Sequence, residues 1–158
     1  MYWESVLSSA IEAGIGIVGF SGIIVAISSR GQGEWSSVDR VRLYSVLGSS
    51  FGPIFFAFLP FILLSAGMPI VLTWRICSAF FGLSLAVIVM IRFRQFKRAS
   101  PEFSRHDLAI LVYASGLVIL AIANFAIIGA DWPYLVCVVG GLAIAAYQFV
   151  RLLLKLRS

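Results

Sequence analysis

Histidine and cysteine are nearly missing from this chain and charge is scarce: 158 residues hold one His, two Cys and 19 charged side chains. With two cysteines, both inside apolar runs, neither a disulfide framework nor a zinc site is indicated. Cys77 and Cys137 instead read as small hydrophobes. The lone His106 lies in a basic segment, and no HExxH, GxSxG or P-loop pattern occurs, so no catalytic residue, metal or cofactor is expected and the chain reads as a non-enzyme. The shortage of charge excludes more. A soluble domain of this length could not cover 61% hydrophobic residues with 12% charged ones. Lipid accepts such a surface directly.

What charge there is has a pattern. Of 12 Lys and Arg, 11 fall in three segments: Arg30, Arg40 and Arg42; Arg92, Arg94, Lys97, Arg98 and Arg105; Arg151, Lys155 and Arg157. These alternate with short turns that carry no basic residue, the distribution of cytoplasmic and external loops in a membrane protein. The net charge of +5 therefore calls for anionic headgroups and not for nucleic acid.

The uncharged stretches set the number of crossings. They hold 17 residues before Arg30, 32 between Arg42 and Arg75, 16 between Arg75 and Arg92, 23 before Asp131 and 19 after it. A helix needs about 20 residues to cross a hydrocarbon core of about 30 Å. The stretch of 32 is too long for one crossing, and Gly67, Met68 and Pro69 place a turn inside it. The fold expected is all-α: a bundle of five transmembrane helices over 6–28, 43–65, 70–91, 108–128 and 133–154. Basic loops held inside put the N-terminus outside and the C-terminus in the cytoplasm. Trp3, Trp74 and Trp132 then fall at the outer headgroup level and Trp35 at the inner one. Glu4 and the lack of Lys or Arg in residues 1–5 argue against a cleaved leader, so the first run is expected to remain as an anchor.

Two places complicate that frame. Ser36 and Ser104 read as helix caps, so the second helix is expected to start near Ser37, in the cytoplasm. Within it Gly48, Gly52, Pro53 and Pro60 weaken the segment. A break there would leave four spans plus a re-entrant segment. The two hairpins, 43–91 and 108–154, also share a layout, but Pro69 precedes Cys77 by eight residues and Pro133 precedes Cys137 by four. Unequal offsets argue against a repeat.

Three groups of residues are candidates for function. Gly14, Gly16 and Gly19 fit GxGxxG, yet that fingerprint needs a strand before it, which a membrane helix does not provide. Packing explains them better: Ser8, Glu12, Gly16, Gly19, Gly22 and Ala26 make one small or polar face on the first helix. Cys137, Gly141, Ala145 and Gln148 make a comparable one on the fifth. The second group is polar. Glu12 lies roughly 9 Å inside the outer boundary and Arg75 at a similar depth, with Asn124 and Asp131 in the same layer. A structural ion pair, snorkelling to headgroups, and a proton, cation or anion site are the three readings of this layer. The third group, Arg92, Arg94, Lys97 and Arg98 interleaved with Phe93 and Phe96, is expected to hold anionic lipid.

The chain thus reads as a multi-pass protein of a cell membrane, with the short loops of a bacterial inner-membrane protein. The leading function is a non-enzymatic structural, assembly or partner-binding subunit, packing against a second copy or another membrane protein. The alternative is a small proton- or ion-coupled transporter or oligomeric channel built on Glu12 and Arg75.

Overall fold

A computed structural model describes residues 2–31, 37–98 and 105–156, with side chains described for 2–23, 48, 50–94 and 108–151. All of the described residues are helical except those of two turns, 66–69 and 129–130. The helices are α1 (Tyr2–Gly31), α2 (Ser37–Ser65), α3 (Ile70–Arg98), α4 (Arg105–Ala123) and α5 (Asp131–Leu156), with a π-helical turn over Asn124–Ile128. Trp35, Ser36 and Ser104 lie outside the described residues.

Four stretches are long and apolar enough to cross a membrane: Tyr2–Ile23, Ile70–Arg94, Leu108–Ile128 and Asp131–Arg151. Their large side chains are left uncovered along their length, among them Phe20, Leu83, Ile119 and Ile127. Such a surface suggests a multi-pass membrane protein, since hydrocarbon accepts it and water does not. In α2 the apolar part, Ser50–Ser65, is shorter among the described residues. The helix itself is unbroken across Gly48, Pro53 and Pro60, where the sequence pointed to a weak point. Each proline removes one donor from the ladder, but both rings are buried.

The chain divides into two compact units, 1–58 with 138–158, and 59–137. In the first, Trp3, Leu7, Ala10, Gly14 and Ser21 are the buried positions among the described side chains of α1, spaced by steps of three, four and seven. A Cβ on Gly14 would overlap the Ile54 side chain of α2 and come within 3.3 Å of Leu142 of α5. Three helices therefore meet over that missing side chain. Ser21 satisfies its hydroxyl on the Ile17 carbonyl at 2.7 Å.

In the second unit α3 packs on α4 and on the π turn. The helices approach closely where a Cβ on Gly82 would sit 3.0 Å from the Ala121 Cβ. Tyr134, fully buried, is flanked by Trp74 at 5.9 Å and Phe81 at 6.4 Å between ring centroids. The Cys137 thiol donates to the Leu117 carbonyl at 3.6 Å. Trp3 and Trp74 are thus buried, and of the three tryptophans expected at the outer headgroup level only Trp132 is exposed. The area that suits Trp to an interface suits it equally to a core.

The turn between α2 and α3 closes by backbone alone. Met68 N–H bonds to the Leu63 carbonyl at 3.1 Å and Gly67 N–H to the Leu64 carbonyl at 3.0 Å. With Gly67 at φ 81° this is a Schellman cap, and Pro69 follows where the helix cannot continue.

Candidate functional site

The turn between α4 and α5 is built differently, and it gathers three of the four polar residues expected in one layer. At Asn124 the α4 ladder widens to a π turn, closed by Gly129 N–H on the Asn124 carbonyl at 2.9 Å. Gly129 takes φ 67°, which only glycine adopts cheaply. The Asn124 side chain then acts as a peptide unit would. Its Oδ1 accepts from Ala130 N–H at 3.0 Å, and its Nδ2 donates to the Ala130 carbonyl at 2.9 Å and to Ser78 Oγ of α3 at 2.7 Å. The residue is fully buried. Both amide hydrogens and one oxygen lone pair are used, so a group that would be costly in an apolar interior is satisfied.

Asp131 opens α5 and accepts from Trp132 N–H at 2.8 Å, an acid placed where the positive end of the helix favours it. Arg75 lies across the same turn: a Cβ on Gly129 would come within 2.9 Å of Arg75 Nε and 3.0 Å of Val71. The guanidinium thus borders the carboxyl end of α4, where the helix dipole favours a cation. Its Nε is buried and has no hydrogen-bond partner among the described residues. Asn124 and Asp131 are therefore committed to terminating and starting helices, and Arg75 is packed onto the joint they make. Sequence reasoning placed a turn at Gly129 but missed Ser78, the partner on α3 that completes this joint. The signal available was a polar residue six positions before a Gly-containing turn.

Glu12, the fourth residue, lies in the other unit, exposed on α1. So do the glycines expected to pack. Nothing among the described residues comes within 4 Å of a Cβ placed on Gly16, Gly19 or Gly22. At ~100° per residue their face lies roughly opposite the one that carries Leu7, Ala10 and Gly14 inward. Glu12 and Ser8, both exposed, share it. Gly141 on α5 is half-buried.

At the basic end of α3, Arg92, Phe93 and Arg94 are exposed. The side chains of Lys97, Arg98 and His106 lie outside the described residues. Among the described residues no group of three His, Cys, Asp or Glu side chains could hold a metal ion. The chain matches no protein-family model, and no curated protein or solved structure is significantly similar to it.

Proposed function

We propose that this chain is a five-span inner-membrane subunit, N-terminus outside and C-terminus in the cytoplasm, that works by binding a further membrane helix through the glycine face of α1. The observation that carries this reading is the open face itself. Among the described residues nothing comes within 4 Å of a Cβ on Gly16, Gly19 or Gly22, while Gly14 on the other side of the helix is fully engaged. Glycines at steps of three in an apolar helix leave a furrow into which a second backbone fits, and in lipid that contact is gained by van der Waals packing.

Glu12 adds a chemical requirement. It is exposed on a stretch otherwise apolar enough to span a membrane, and an ionisable group facing lipid there costs several kcal/mol unless something solvates it. A partner helix offering a hydrogen-bond donor or a basic side chain at that level would remove the cost. The partner is a second copy or another membrane protein with such a group.

Photo-crosslinking from position 19 in the intact membrane tests the reading. The expected product is an adduct to a membrane polypeptide, lost when Gly16 and Gly22 are replaced by Leu. Adducts to lipid alone would remove the basis for association. Proteoliposome ion flux that disappears in Glu12→Gln would favour transport instead.

A further inference from the structure

Two charged side chains stand inside the apolar stretches and not at their ends, and they are of opposite sign: Glu12 in Tyr2–Ile23 and Arg75 in Ile70–Arg94. Leu108–Ile128 holds no charge, and Asp131 and Arg151 bound the last stretch. Among the described residues neither Glu12 nor Arg75 has a hydrogen bond or an ion pair. Glu12 is exposed on α1, and Arg75 is half-buried with its Nε enclosed beside the Gly129 turn. The acid of that turn, Asp131, is engaged with the Trp132 N–H. An unpaired ion within a crossing costs several kcal/mol, and one contact between an acid and a base removes both costs.

Depth decides which partner satisfies both. In a five-span chain α1 and α3 cross in the same direction. Counted from Val6 and Ile70, where those crossings are expected to begin, the two charges lie about 9 and 8 Å inside the same boundary. A twofold axis along the membrane normal carries every residue to the same depth in a second copy. An acid and a base in one layer then meet reciprocally, Glu12 of each copy on Arg75 of the other, and neither copy keeps an unmatched charge. A different protein would have to bring both an acid and a base to that layer.

We propose that the partner of α1 is a second copy of this chain, in a twofold dimer joined at the outer layer by two ion pairs between Glu12 and Arg75. The inference rests on the reading of α1 as the contact face and adds the identity of the partner and of the group that meets Glu12. With Nε of Arg75 held beside the turn, its two terminal nitrogens remain for a carboxylate, which a guanidinium binds through parallel hydrogen bonds.

The test uses full-length copies carrying a donor or an acceptor fluorophore at the C-terminus. They are reconstituted together in vesicles of phosphatidylethanolamine and phosphatidylglycerol, and association is read as energy transfer against the protein-to-lipid ratio. Glu12→Arg and Arg75→Glu are each expected to weaken self-association about tenfold or more, because each sets like charges face to face. Mixed with one another, the two variants should associate within about threefold of the wild type, since both contacts are then made between opposite charges. A pair formed within one chain would give no rescue on mixing. If either charge-reversed variant fails to fold, Glu12→Gln and Arg75→Gln take their place, each weakening association and adding no further loss when combined. A wild type that stays monomeric, single variants that associate as it does, a mixture without rescue, or additive losses in the neutral pair would overturn the proposal. If the crosslink from position 19 then joins a different membrane polypeptide, the contact face stands and only the second copy is wrong. Adducts to lipid alone remove both.

Discussion

In the first unit three helices approach one another over an absent side chain, Gly14 against Ile54 and Leu142, whereas in the second a buried amide, Asn124, ties α3 to the turn before α5. The first kind of contact asks only that a residue be small. The second asks for a donor and an acceptor in a fixed arrangement, and it cannot be filled by any isostere lacking both. The difference teaches where each unit tolerates change: size matters in one and chemistry in the other.

Replacing Asn124 with Leu should therefore have the largest effect of any single change considered. It keeps the branched four-atom shape but strands Ala130 N–H and its carbonyl, and in-membrane hydrogen bonds at roughly 0.6 kcal/mol each, three together, give a loss of about 2 kcal/mol. Unfolding in bicelles with increasing SDS measures it, and a loss below about 0.5 kcal/mol would show that the amide network carries no weight. Gly14→Val comes next, at about 1–2 kcal/mol, because Ile54 must leave its rotamer to admit the new branch. The smallest change is Gly19→Ala on the opposite face, which should leave stability within about 0.5 kcal/mol or raise it. Similar losses at Gly14 and Gly19 would erase the distinction between the closed and open faces of α1.

Much of this architecture is legible in residue order. Long uncharged stretches separated by basic clusters give the apolar helices, and Gly67 followed by Met68 and Pro69 marks a turn that the structure closes with two backbone hydrogen bonds. The helix start at Ser37 is legible for the same reason, since capping is local. What residue order hides is direction around an axis. The glycines of α1 identify a face but not which way it looks, and the structure turns Gly14 inward while Gly16, Gly19 and Gly22 look out. That Arg75, Asn124 and Asp131 fall near one end of their helices is legible, yet their partners are not. Asn124 binds a backbone six residues on and a serine 46 residues back, and neither spacing follows from helix periodicity. The continuity of α2 across Pro53 and Pro60 is likewise decided by burial and not by propensity.

The Asn124 joint also bears on how the chain is made. Between Leu108 and Arg151 a helix, a turn and a second helix leave the ribosome in succession. An asparagine entering the bilayer on the first of these alone would have to drag water with it or expose a bare amide to hydrocarbon. Ala130 supplies two of its three hydrogen bonds from the turn that emerges next, and Ser78 of the already synthesised α3 supplies the last. In a chain that spans the bilayer, the amide would carry its own solvation inside the hairpin, and lateral release of α4 and α5 as a pair would cost less than release of α4 by itself.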